Sequence, residues 1–251
     1  MRDKMKTTRT KPAVMGAILL TFALTVAGHA AEKIRLLVFT GGHEFQTNQF
    51  FQFFQGNPDV TVAAFTHPKA QAQLRPDAAK NYDVLVLYDL WQNITDETKA
   101  DLVNFLKAGK GLVVLHHAVA NYQQWPEYER IIGGRYYLQK TMVNGIEKPR
   151  SIWKHDVEVA IHVADSDHPV TRGLQDFTIH DETYGLFDMS PDSHLLLTSD
   201  TSGSAKNLGW AKTYEAARVV YLQLGHDHLA WDHPNYGKLV FQAIRWVAKV
   251  D

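Results

Sequence analysis

Apolar residues recur along this chain as short β-prone runs alternating with longer stripes at helical spacing, and from residue 34 onward that alternation predicts a succession of βα units. Ile34 to Phe39 is apolar apart from Arg35, as a strand covered on both faces must be. After the Gly41-Gly42 turn, the aromatic-rich stretch Phe45 to Phe54 reads as a helix stopped by Gly56-Asn57-Pro58. Val60 to Phe65 and the D-V-L-V-L-Y run at Asp83 to Tyr88 are the next strands, the second with the composition of a central one. Thr95 is placed to cap a helix with Asp96 and Glu97 at its positive end, an apolar stripe at Leu102, Val103, Phe105 and Leu106, and Gly109 where a left-handed residue ends it. Gly111 to Leu115 is then a strand, and a helix beyond Trp125-Pro126-Glu127 runs through Ile132 to Gly133-Gly134.

From there to about Tyr184 the pattern is irregular. Val157 to Val163 alternates like an edge or antiparallel strand, and Asp165-Ser166-Asp167-His168-Pro169 is turn chemistry, so the stretch reads as a β-rich insertion covering the site. His194 to Thr198, Leu208 to Tyr214 and Arg218 to Leu224 are strand-like. Tyr236 to Val250 closes the chain as a helix with Tyr236, Leu239, Val240, Ala243, Ile244 and Val247 on its core face. The fold class this predicts is α/β, a doubly wound, mostly parallel sheet with an inserted β-rich segment.

Three of the strands end in histidine: Thr40-Gly41-Gly42-His43-Glu44, His116-His117-Ala118, and Gly225-His226-Asp227-His228. A parallel sheet gathers its carboxyl ends along one edge, where ligands bind, so these imidazoles are expected to converge. Neutral imidazole ligates metals and passes protons near neutral pH. His43, Glu182, His226 and Asp227 are the candidate catalytic groups, and His116, His226 and Glu182 are candidate ligands for a divalent metal. Trp91, Tyr122, Trp125, Tyr184 and Trp231 lie near the same loops and, with Glu44 and His117, are candidates for binding a sugar, whose faces stack on aromatic rings.

Motifs for other chemistries are missing. There is no H-E-x-x-H, no P-loop after the first strand, no complete dinucleotide fingerprint at Gly41-Gly42 and no G-x-S-x-G elbow, so no nucleotide cofactor is expected and serine hydrolase chemistry is disfavoured. The absence of cysteine removes disulfides and thiol nucleophiles.

The first thirty residues read as a secretory signal. Arg2, Lys4, Lys6, Arg9 and Lys11 precede an uncharged run from Ala13 to Gly28, too short to span a bilayer, with Gly28-His29-Ala30 suited to cleavage after Ala30. Residues 31–251 then form one exported domain, periplasmic or secreted, with no later membrane span. Without the leader, the 26 basic and 27 acidic residues become 21 and 26, a mild negative excess that speaks against a nucleic-acid partner.

At G-G-H-E (Gly41 to Glu44), G-L-V-V-L-H-H-A (Gly111 to Ala118), W-P-E-Y (Trp125 to Tyr128), I-G-G-R (Ile132 to Arg135), D-H-P-V-T-R-G-L (Asp167 to Leu174), D-E-T-Y (Asp181 to Tyr184) and L-G-H-D (Leu224 to Asp227), the chain resembles the ThuA-like, or trehalose-utilisation, family. The resemblance spans almost all of the mature chain. It implies a flavodoxin-like fold of the class I glutamine amidotransferase-like group without amidotransferase activity, because His116 and His117 stand on the elbow where those enzymes carry cysteine. Glu44 stands where many relatives have Asp. The resemblance also implies a carbohydrate ligand, an oxidised (keto) disaccharide or related glycoside.

Together these features describe an enzyme, a lyase, isomerase or hydrolase, in which His43 and His226 move protons while Glu182 and Asp227 orient them or help hold a metal. The alternatives are a non-catalytic sugar-binding module on a retired scaffold and a metal-dependent hydrolase of an ester or amide. Oligomeric state and the identity of the sugar stay open.

Overall fold

The computed structural model describes residue 1 and residues 32–250; the leader assigned to residues 1–30 therefore lies almost wholly outside the described residues. The chain runs β1 (Ile34–Gly41), α1 (Thr47–Gln55), β2 (Val60–Thr66), a 3-10 turn, α2 (Pro76–Ala79), β3 (Val84–Asp89), α3 (Asp96–Lys107), β4 (Gly111–Leu115), a second 3-10 turn, α4 (Pro126–Ile132) and β5 (Gly134–Arg135). It continues β6 (Thr141–Val143), β7 (Ile146–Lys148), β8 (Ile152–Val163), β9 (Phe177–Gly185), β10 (Asp188–Met189), β11 (His194–Thr198), β12 (Asn207–Tyr214), β13 (Ala217–Leu222), α5 (His228–Trp231) and α6 (Pro234–Val247).

Nine strands form one sheet in the order β2-β1-β3-β4-β13-β12-β11-β8-β9. The first five are mutually parallel and the rest are added antiparallel. Alternation along the parallel strands divides the core into two layers, since successive side chains point to opposite faces. Leu36, Val38, Val86, Val113 and Val220 pack with Phe50 and Phe54 of α1 and Leu239, Val240 and Ile244 of α6. Leu37, Leu85, Leu87, Val114 and Val219 pack with Leu102, Phe105 and Leu106 of α3 and Ile131 and Ile132 of α4. Both faces being covered is what permits near-continuous apolar runs.

The caps match the chemistry of the sequence. Thr95 Oγ1 accepts the amide of Thr98 at 3.1 Å, and Gly109 has φ +80°, a conformation any β-carbon would strain. Two helices differ from expectation at their ends. α1 begins at Thr47 rather than Phe45, whose ring instead packs on Phe50 and Tyr88. α6 begins at Pro234, a residue suited to the first turn, and stops at Val247, two residues before Lys249 turns left-handed at φ +60°.

The irregular stretch is β-rich: β6 pairs with β7 and β5 with β10 in two small sheets of their own, while β8 and β9 join the main sheet and lengthen it. β8 begins at Ile152, five residues before the alternation is legible, and β9 was not expected because His180, Asp181, Glu182 and Thr183 occupy its centre. Three of those polar residues, Asp181, Glu182 and Thr183, are buried, and a strand with a polar buried middle carries no apolar signature.

Candidate functional site

The strand-end histidines converge. His116 opens the turn after β4 with φ +50°, a strained conformation for a residue with a β-carbon, and is 1% exposed. Its Nδ1 donates to the Gln223 carbonyl at 2.6 Å, which leaves Nε2 with a lone pair that accepts the Tyr184 hydroxyl at 2.8 Å. His226 Nδ1 lies 3.3 Å from that same Nε2 and 3.1 Å from Glu182 Oε2. His43 approaches from β1 with its ring centre 6.2 Å from that of His226 and 4.7 Å from that of His117.

Asp181 holds this arrangement in place. Its buried carboxylate accepts the amides of Gly225, His226 and Glu182 at 2.8, 2.9 and 2.8 Å, tying the middle of β9 to the loop after β13. Gly225 is required there, with φ +113° and a position at which a β-carbon would lie 2.3 Å from the Tyr236 hydroxyl oxygen.

Sequence reasoning missed His155. The pairing of β8 with β9 passes from Lys154 opposite Thr183 to Val157 opposite Asp181, so His155 and Asp156 share one partner, Glu182. This is a β-bulge, with Asp156 at φ +54° as its kink. It brings His155 Nδ1 to 2.6 Å from Glu182 Oε2. The only signal was the break in alternation at His155-Asp156.

Beside these groups lies a cavity of about 190 Å³ lined by His43, His117, Tyr136, Arg150, Trp153, His155, Glu182 and Tyr184, among others. A second hollow, about 450 Å³, shares His43 and His155 with it and is also lined by Glu44, Phe45, Gln46, His226 and Asp227. Glu44, His117 and Tyr184 thus line one or other hollow. Three tryptophans differ from expectation. Trp231 is buried among Phe50 and Tyr88 and donates to the Gly225 carbonyl at 2.9 Å. Trp91 stacks on buried His67 at 5.0 Å, and Trp125 sits with the buried Tyr122 and with Tyr128 in a separate small cleft. Asp227 lines the larger hollow and also caps α5, its Oδ1 accepting the Leu229 amide at 2.9 Å. Aromatic residues near a strand end are as readily recruited by the core as by a ligand, and here packing took all three indoles.

His116, Glu182 and His226 each offer one ligand atom, all within 4.8 Å of one another, and form the one such group among the described residues. The donor set fits a divalent cation: the Gln223 carbonyl fixes the His116 tautomer so that Nε2 carries the lone pair, which here accepts the Tyr184 hydroxyl and would be the ligand atom, and burial lowers the pKa of both His116 and His226, keeping them neutral.

Burial, and next the charge of Asp181, pushes Glu182 up to about 7, while burial pushes His116 and His117 well down. The consequences for stability have opposite signs. A carboxyl raised on folding favours the native state below its unfolded value and loses that contribution as pH climbs through the folded one. A histidine lowered on folding contributes above its unfolded value and loses that as pH falls. Glu182→Gln removes the first effect and keeps the second, so between pH 7 and 4.5 the variant should lose up to about 1.4 kcal/mol more than the parent per pH unit. Urea unfolding at several pH values checks this; parallel pH dependences in the two proteins would refute it.

A strand-end crevice furnished with imidazoles and a carboxylate, on an α/β sheet with no thiol or serine elbow, defines the class. The chain belongs to the ThuA family, described as trehalose utilisation, whose pattern matches residues 35–247. No curated protein matches it. The chain is similar in structure to a ThuA-like protein from Parabacteroides merdae (TM-score 0.72, 20% identity, 86% of this chain and 90% of that one). A second ThuA-like protein, from Bacteroides uniformis, gives 0.65, 19%, 88% and 94%. A β-galactosidase from Rahnella gives 0.56 at 10% identity, covering 86% of this chain but 32% of the enzyme. These likenesses show the shared mixed α/β fold.

Proposed function

We propose that this protein is an enzyme acting on a keto-sugar or keto-glycoside, breaking or shifting bonds next to the carbonyl after removal of a neighbouring proton. The observation that carries the reading is the grouping of His116, Glu182 and His226 within ligating distance beside a cavity whose wall also holds His43, His117 and His155. A divalent cation held by the first three would act as a Lewis acid toward the carbonyl oxygen.

The remaining steps belong to side chains. His43 Nδ1 donates to the Glu44 carbonyl at 2.7 Å, leaving Nε2 able to take a proton from the carbon beside the carbonyl. His155, paired with Glu182, is placed to return a proton to the departing oxygen. Trp153 and Tyr184 offer faces to the sugar ring. The cavity is smaller than the ~300–1,000 Å³ usual for drug-sized ligands, which suits one ring of a glycoside with the rest extending toward Glu44 and His226.

His43→Ala should lower turnover of keto-glycosides by roughly 10²- to 10⁴-fold with binding retained. Undiminished turnover would remove His43 from the reaction. Saturable binding without product in the parent protein would favour a binding module instead. The basic and apolar leader supports export, with Ala31 as the expected first residue on N-terminal sequencing of the mature protein.

A further inference from the structure

We propose that the sugar taken by the smaller cavity is anionic, carrying an oxyanion group that is held by Arg150. This rests on the reading of the site as a sugar site. The cavity wall carries one permanent cation, and nothing among the described residues neutralises it. Arg150 lines the cavity and makes no hydrogen bond or ion pair among the described residues. Basic residues preceding it in the chain are neutralised, Lys140 by Glu147 at 2.7 Å and Lys148 by Asp188 at 2.6 Å. His117, on the same wall and more than nine-tenths buried, has both ring nitrogens without a partner. An unpaired buried polar group is costly, and a ligand reaching it would relieve that cost.

Glu182 is the one carboxylate among the residues lining the cavity, and His155 and His226 approach the same oxygen of it, Oε2, at 2.6 and 3.1 Å. A carboxylate or phosphate only accepts, and a guanidinium matches either with two parallel N–H bonds.

The test is calorimetric titration of the full protein with three glycosides of one sugar, the neutral parent, its uronate and its phosphate ester, and with inorganic phosphate. The uronate or the phosphate ester should bind roughly 10- to 100-fold more tightly than the neutral parent, and which of them does so identifies the anion. Arg150→Gln, an exposed change, should erase that preference, and Arg150→Lys should restore part of it. Equal binding of neutral and acidic sugars, or a preference that survives Arg150→Gln, overturns the proposal while leaving a sugar site standing. Binding of inorganic phosphate with no binding of any glycoside overturns it together with the sugar reading.

Discussion

Glu182→Gln and His226→Ala should each strip a divalent cation from the purified protein and lower turnover by roughly 10²- to 10⁴-fold, with the fold intact. Each removes one of only three donors in the group, and two donors fall short of the three protein ligands that a catalytic metal with an open position needs. Glutamine preserves the size of Glu182 but supplies an amide where His155 and His226 require a carboxylate oxygen. Metal analysis by mass spectrometry, beside circular dichroism to verify folding, separates loss of the ion from loss of structure. Full metal content in both variants would disprove ligation by these residues. His226→Ala would also leave Asp181 bound to the backbone amides of the loop, so the loop itself should persist.

Trp231→Ala should destabilise the protein by about 3–5 kcal/mol, the range for truncating a large buried aromatic. Trp231→Phe, which keeps most of the packing but loses the bond to the Gly225 carbonyl, should cost nearer 1 kcal/mol. The indole packs against Phe50 and Tyr88, and the Tyr88 hydroxyl donates to the carbonyls of Gly225 and His226 at 3.0 Å. Emptying this position would therefore loosen the backbone that presents His226. Chemical denaturation measures the effect, and a change below 1 kcal/mol for Trp231→Ala would show that the ring is not a core element.

The parallel half of the fold was legible because its signals are local. β4 is an uninterrupted apolar run, β3 is one up to its terminal Asp89, and β1 is broken early only by Arg35; Thr95 and Gly109 bound α3 by their own chemistry, and histidines at the strand ends mark one edge. His43, His116 and His226 meet there because topology, not spacing, gathers them. What sequence could not disclose was direction. Trp91, Trp125 and Trp231 looked like a sugar platform and are taken up by packing. The platform that lines the cavity, Trp153 and Tyr136, lies in the stretch whose period was unreadable. That stretch was opaque because β9 devotes its centre to buried polar residues, and burial of such groups depends on partners far away in sequence.

The bulge at His155-Asp156 reverses the alternation along β8. Beyond it, Val159 and Ile161 share a face with Ile179 in the α1–α6 layer; before it, Trp153 and His155 share the opposite face with Glu182 and Tyr184. A single supernumerary residue thus acts as a phase shifter in the two-residue rhythm of the strand. Excising Asp156 would set His155 squarely opposite Glu182 and Val157 opposite Asp181, so the indole and the imidazole would keep the crevice side and only the kink that tips His155 toward the carboxylate would go.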